Sequence, residues 1–378
     1  MREIKIAGII DSDPFSFKTW SGSSRFFFNA LKNKNVLETA IDTDPGNFYK
    51  RLSQLKSFYP DKTEWKRRYL CDTFLFSQRS KEVIKKLGPI TNSFNTMLQV
   101  GAWYNVTDSK YFKDKLFCSY HDGNRWTQLK RPDTHFNLDK SNIKNGLAYE
   151  KKLYDRLDLI FPMSNWLGQS FVKDFKCDPS KVIPVGAGIN LNKIIDVGKK
   201  DYSNPNILFV GIEFKRKGGE VVLEAFRKVR REIPGATLTI IGPELTNLPD
   251  GVLSLGRILK NTADGERQIC EAYANASLFV MPSFYEPFGI VFAEAMAHKL
   301  PCIGADSCAM PEIIENGKTG FIIPIGGSKV LADRMLDLLK NESQMREYGE
   351  AGYQRYLENY TWDVVTQKII DAVKIKLG

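Results

Sequence analysis

Short apolar runs alternate along the chain with stretches of helical periodicity, and turn residues separate the two. In the first half, EIKIAGII (3–10), MLQVGA (97–102), KLFCSY (115–120) and LIFPMS (159–164) are runs of strand length. SSRFFFNALKN (23–33) has helical spacing, a second helix ends near Leu157, and KVIPVGAGIN (181–190) closes the half. The second half alternates more regularly. NILFVGI (206–212), TLTIIG (237–242), VLSLG (252–256), LFVMPS (278–283), PCIGAD (301–306) and GFIIP (320–324) read as strands. Between and after them, helices are predicted over Glu220–Glu232, Arg267–Ala276, from Pro287, and over KVLADRMLDLLK (329–340). Continuous apolar strands alternating with helices predict mostly parallel sheets covered on both faces, an α/β class. Such sheets bind ligands outside the carboxyl ends of their strands.

The segment NLNKIIDVGKKDYSNPN (190–206) breaks this periodicity with lysine, glycine, asparagine and proline. It predicts a linker over 191–205 between domains at 1–190 and 206–360. The 378 residues suffice for two cores of ordinary size. No apolar run reaches the roughly 18 residues of a membrane span. The opening MREIKIAGIIDSDPF reads as a first strand, because acids and proline follow its apolar run at once, and the default expectation is a cytoplasmic location.

The 54 basic and 44 acidic residues leave a net charge of +10, which favours an anionic partner. Basic and aromatic residues interleave in KTEWKRRYLCDTFLFSQRSKEVIKKL (62–87). An anionic membrane surface or an acidic acceptor fits this patch, as does a plain solvated helix face. No nucleic-acid-binding motif accompanies it, so nucleic acid is not expected as a partner. The six cysteines lack CxxC spacing and read as buried thiols, and the three histidines lack zinc-ligand spacing.

Candidate chemistry gathers at predicted strand ends. In YEPFGIVFAE (285–294), Glu286 sits where a strand turns into a helix, with Pro287 preorganising the first turn and Gly289 permitting close approach. Unpaired amides around Phe288, Gly289 and Ile290 would attract an anion such as phosphate. The spacing alone allows a plainer reading, in which Glu286 complements the helix start and Glu294 is an exposed helix residue. After NILFVGI come Arg216 and Lys217, ahead of a glycine pair, where two cations could clamp a diphosphate. After VLSL come Gly256, Arg257 and Ile258, where a flat base could sit.

The run PSFYEPFGIVFAEAMAHKLPCIGADSCAMPEIIENGKTGFIIP (282–324), with FVGIEFKRKGGEVVLEAF (209–226) and SLGRI (254–258), resembles the donor half of a family-4 retaining glycosyltransferase of the GT-B fold. The resemblance covers roughly residues 206–340. WSGSS (20–24), YHD (120–122) and DLIFPMSNW (158–166) occupy corresponding places in the first half. It implies two Rossmann-like domains facing each other across a cleft, with a C-terminal helix of about 361–378 packing back on the first. It also implies transfer of a sugar from a nucleotide diphosphate sugar to a hydroxyl of a glycan or lipid-linked acceptor. The anomeric configuration would be retained, with no metal and no cofactor.

By that resemblance Glu294 would hold the ribose hydroxyls and Glu286 would lie beside the transferred sugar. The amides of Phe288, Gly289 and Ile290 would meet sugar and phosphate oxygens. Arg216 and Lys217 would neutralise the departing diphosphate, and Arg257 and Ile258 would frame the base. Gly22 would approach the diphosphate and His121 the sugar. The chain departs from the family at Ile212, where arginine is common, and at Cys308 and Ala309, where paired glycines are common.

The acidic pairs Asp11/Asp13 and Asp42/Asp44 resemble a metal-binding DxD, but turn chemistry accounts for both. Other readings remain open: a nucleotide-sugar hydrolase or epimerase on the same scaffold, or a non-catalytic nucleotide-sugar-binding protein. A nicotinamide dehydrogenase is disfavoured, because the first strand leads into DSDPF rather than a GxGxxG turn.

Overall fold

A computed structural model describes residues 3–131 and 140–378. The chain forms two compact units. One comprises residues 1–186 and 365–378, and the other residues 187–364.

The first unit contains a five-stranded parallel sheet of β1 (Ile6–Ile10), β2 (Leu37–Asp42), β3 (Thr96–Val100), β4 (Leu116–His121) and β5 (Leu159–Pro162), in the order β2-β1-β3-β4-β5. All residues of β1, β3, β4 and β5 are buried, which is why these strands read as unbroken apolar runs. The edge strand β2 (LETAID) is half-exposed along most of its length and has no such run, so the apolar pattern does not predict it. KVIPVGAGIN forms no strand beyond an isolated bridge at Val182. Its Ile183 and Val185 amides donate to Ile160 and Pro162, so it runs extended beside β5.

The second unit contains a six-stranded parallel sheet of β6 (Asn206–Val210), β7 (Thr237–Ile241), β8 (Val252–Ser254), β9 (Leu278–Met281), β10 (Cys302–Ala305) and β11 (Gly320–Ile323), in the order β11-β10-β9-β6-β7-β8. The chain winds outward from β6 through β7 to β8, then returns to lay β9 on the other side of β6. The strand order therefore reverses between β6 and β9, and a crevice for ligands opens at such a reversal.

The helix Gly219–Glu232 follows β6 and buries Val221, Val222, Ala225, Phe226 and Val229 on one face. Glu220 in its first turn and Arg230 and Arg231 in its last complement the helix dipole. The segment 191–205 has no helix or strand, but it is packed onto this unit. Lys200 Nζ donates to the Tyr273 and Ala274 carbonyls, and Tyr202 Oη donates to the Lys299 carbonyl at 2.6 Å. Burial brings the Lys200 ammonium down to about 8.

Candidate functional site

The turns after β6 and β9 are bonded to each other at the reversal point of the second sheet. The Phe284 amide donates to the Arg216 carbonyl at 2.9 Å. Gly218 is in the left-handed region (φ 79), and a Cβ there would lie 2.3 Å from the Pro282 carbonyl oxygen. A Cβ at Gly211 would lie 2.3 Å from Cδ of Lys217. The glycine of FVG thus clears a path for the Lys217 stem.

Along that path Lys217 Nζ donates to Oε2 of Glu286 at 2.8 Å, and Arg216 Nη1 stands 3.5 Å from the same oxygen. Arg216 also donates to the Tyr285 carbonyl and to Glu213. All three side chains are largely buried at 11–15% exposure, so solvent screens their interaction only in part. The sequence-predicted residues Arg216, Lys217 and Glu286 therefore form one cluster.

Gly289 adopts φ 93 and caps the helix Ile290–Ala297, which starts with no side-chain cap. Phe288 and Gly289 are buried and Ile290 is half-buried. Five residues along this helix, roughly 8 Å at 1.5 Å per residue, Glu294 is 0% exposed. That excludes the exposed-helix reading. Its carboxylate accepts a hydrogen bond from Tyr273 Oη at 3.0 Å and pairs with Lys260, whose side chain is a quarter exposed. Tyr273 stacks on His298, whose Nδ1 contacts the Glu294 carbonyl at 2.8 Å.

Sequence reasoning missed Lys260 and Tyr273. The available signal was Glu294 itself, because a charge inside a buried apolar helix requires a partner. Arg257 is exposed and Ile258 half-buried beyond β8, where Gly256 (φ 64) accepts from the Gly242 amide.

In the loop after β10, Cys308 takes a left-handed conformation (φ 51), the kind a glycine adopts without steric cost. Burial raises its thiol pKa. Ser307 Oγ donates to the Phe284 carbonyl at 2.9 Å, tying this loop to the turn that holds Glu286.

Gly22 and His121 belong to the first unit. Gly22 (φ 89) caps the helix Ser23–Asn33 and follows Trp20 (φ 48) and Ser21 (φ 54), making three left-handed residues in succession. Two of these are not glycine, at a cost of order 1–2 kcal/mol each. Trp20 is held by a 2.8 Å hydrogen bond from its indole to Asp122 Oδ2 and by an edge contact with Tyr120.

His121 ends β4 at 1% exposure, against Tyr154 and Phe171, and its Nε2 has no hydrogen-bond partner among the described residues. Burial lowers its pKa to about 3, so the ring is neutral. His135 lies outside the described residues.

Three of the four DxD aspartates are engaged in local turns or ion pairs. Asp13 accepts from the Phe15 amide, Asp42 from the Asp44 amide and Lys86, and Asp44 from the Gly46 amide and Lys50.

Residues 192–355, which contain Arg216, Lys217, Arg257, Glu286 and Glu294, match the family described as "Glycosyl transferases group 1". Over that span the chain is similar to the group 1 glycosyltransferases. It is 31% identical over 176 residues to N-acetyl-alpha-D-glucosaminyl L-malate synthase of Bacillus anthracis, covering 43% of this chain and 44% of that enzyme. The chain spans about half the length of the curated relatives it matches.

Among solved structures, the sucrose-phosphate synthase of Thermosynechococcus elongatus superposes with a TM-score of 0.71 at 15% identity, covering 99% of each chain. HepE of Anabaena in complex with UDP-glucose superposes with a TM-score of 0.63 at 14% identity, covering 98% of this chain and 99% of that one. The fold is GT-B, with two Rossmann-like domains.

Proposed function

We propose that this chain is a group 1 glycosyltransferase that moves a sugar from a nucleotide diphosphate sugar to an acceptor hydroxyl with retention of anomeric configuration and without a metal. The observation that carries this reading is the Lys217–Glu286 pair at the reversal point of the second sheet, with Arg216 on the same carboxylate. Glycosyl transfer passes through a cationic sugar while negative charge grows on the leaving diphosphate. Lys217 has three donors, so it can keep Glu286 and still meet a phosphate oxygen. Fixed cations aimed at developing charge are the largest single catalytic contribution of this kind.

In this reading the amides of Phe288, Gly289 and Ile290 add donors for sugar and phosphate oxygens, and Glu286 orients the sugar. Glu294, already ordered by Lys260 and Tyr273, takes the ribose hydroxyls, while Arg257 and Ile258 frame the base. Gly22 and His121 are proposed to serve the diphosphate and the sugar from the first unit. A neutral His121 suits hydrogen bonding to a hydroxyl. Retention needs no protein nucleophile when the leaving phosphate assists deprotonation of the acceptor on the same face.

The acceptor is proposed to be a glycan or a lipid-linked glycan, met at the inner face of a membrane. Residues 47–70 contain seven lysines and arginines against two acids, half of the chain's net charge of +10. Phe48, Leu55 and Phe58, at 73%, 72% and 60% exposure, project from the same region. Exposed apolar side chains among basic ones suit an anionic bilayer surface. Among the described residues no helix is long and apolar enough to cross a membrane.

The test is a thermal-shift screen of UDP-, GDP- and ADP-sugars, beginning with UDP-glucose because HepE is seen with it. A ligand at 100 times its Kd stabilises by about 2.7 kcal/mol. If no nucleotide sugar raised the Tm, the reading would fail. A product assay then separates transfer from hydrolysis, since a hydrolase releases free sugar with no acceptor present.

A further inference from the structure

The helix Ala263–Asn275 has no basic side chain in its last turn, although a helix ends in carbonyls without helical partners and in partial negative charge. The cation comes from outside the helix. Lys200, in the segment 191–205, donates from Nζ to the Ala274 carbonyl at 2.8 Å and to the Tyr273 carbonyl at 3.2 Å. The other two carbonyls of that turn are also met, Ala272 by the Ala276 amide and Asn275 by Asn206 Nδ2. Lys200 is 3% exposed, and with its pKa at about 8 it keeps its proton at pH 7. A buried ammonium is costly unless its donors are engaged, and here they close a helix end.

Tyr273 is gripped at both ends. Its carbonyl accepts from Lys200, and its Oη donates to Oε2 of Glu294 at 3.0 Å. Between these two bonds the ring is 0% exposed, stacks on His298 with centroids 5.3 Å apart and 14° between the planes, and lies 6.0 Å from the Phe279 ring. Close packing on both sides means that a shift of the Tyr273 backbone moves its hydroxyl as well. The Glu294 carboxylate is thereby tied to the segment 191–205.

Other contacts dock the same segment without bonding to Tyr273. Arg346 Nη1 donates to the Lys200 carbonyl at 2.9 Å, and Lys299 Nζ donates to the Gly198 carbonyl at 2.9 Å. Of the three cations, the Lys200 ammonium is the one that meets Tyr273.

We infer that Lys200 is a positioning residue for nucleotide binding: it holds Tyr273 by the carbonyl, and Tyr273 in turn presents Glu294 to the ribose. This rests on the donor reading, in which Glu294 takes the ribose hydroxyls, and adds a residue that acts through another rather than by touching the nucleotide.

The full chain and its variants are titrated with UDP at pH 7 by calorimetry, at a temperature where circular dichroism shows each of them folded. Lys200→Met keeps most of the stem and removes the charge, and should raise the UDP Kd about fivefold or more, the lower end of couplings between separate sites. Lys200→Arg should restore most of the affinity, since a cavity of about 420 Å³ lined by Lys200, Asn204 and Ala274 leaves room for the guanidinium. Arg346→Gln loosens the same segment but keeps the ammonium, so its Kd should stay within about twofold of the unaltered chain. A double-mutant cycle decides the route. With Tyr273→Phe in place, Lys200→Met should have less than about twofold further effect, because the hydroxyl through which it acts is gone.

Unchanged UDP binding by Lys200→Met would overturn the inference, as would an equal loss from Arg346→Gln or fully additive effects of Lys200→Met and Tyr273→Phe. If Lys200→Met failed to fold, Lys200→Gln, an uncharged donor on a shorter stem, would carry the same cycle. An unaltered chain that bound none of UDP, GDP and ADP would instead overturn the donor reading on which the inference rests.

Discussion

Lys217 Nζ donates to Glu286 Oε2 at 2.8 Å across 69 positions of sequence, joining the turn after β6 to the turn after β9. Lys217→Ala should reduce kcat/KM by about 10²–10³, the loss typical of removing one electrostatic stabiliser. Arg216→Ala should cost less, because that guanidinium is already engaged with Glu213 and the Tyr285 carbonyl. Steady-state kinetics with the identified donor would check the ranking, and equal losses would contradict it.

Lys260 is predicted to be a support of the nucleotide end. Lys260→Ala leaves the buried Glu294 carboxylate with Tyr273 as its remaining side-chain partner among the described residues. An under-satisfied buried polar group costs about 1–3 kcal/mol, to be read from urea denaturation. The nucleotide Kd should rise as well. A variant as stable as the original would show that solvent replaces Lys260.

Gly218→Ala combines an unfavourable φ of 79 with a Cβ placed 2.3 Å from the Pro282 carbonyl oxygen. Relief requires the two site-bearing turns to separate. Destabilisation should exceed about 1 kcal/mol, and nucleotide binding should weaken more than after a comparable change on the outer face of the Gly219–Glu232 helix. Calorimetry and the thermal-shift screen would measure the two effects.

Acid should weaken the first unit through His121. Its folded-state value of about 3 lies below the ordinary 6.5, so between those values the unfolded chain takes up a proton that the folded chain refuses. Stability from this group is complete above about pH 6.5 and falls as pH drops, by up to about 1.4 kcal/mol per pH unit. His121→Gln should flatten the difference in stability between pH 7 and pH 4.5 relative to the unaltered chain. Parallel profiles would mean that the ring is protonated within the fold.

Vesicle co-sedimentation tests the surface formed by residues 47–70. Binding to phosphatidylglycerol-containing vesicles should exceed binding to phosphatidylcholine alone and fall as salt rises, since screening shortens to about 3 Å at 1 M. Phe48→Ser with Leu55→Ser should weaken it further, because both side chains are more than 70% exposed. Salt-insensitive binding, or none, would remove the membrane from the proposed function.

Particular residues show why some of this was legible in the sequence. β9 (LFVM) and β10 (CIGA) are buried along their whole length, so parallel pairing leaves a continuous apolar run between turn signals. β2 is half-exposed along most of its length and has no run, so it was not visible. Glu286 was legible because proline and glycine flank it at a strand end. Lys260 was not, because it lies 34 positions from Glu294 in a turn with no signal of its own.

The residue order by itself determined the alternation of strand and helix, the turns at the carboxyl edges and the two glutamates of YEPFGIVFAE, because periodicity and turn chemistry act over a few neighbouring positions. Tertiary structure alone decided that Lys217 meets Glu286 and that Lys260 and Tyr273 meet Glu294. Each of those outcomes depends on which strands lie side by side, and strand order is set by packing across the whole sheet rather than by any local run.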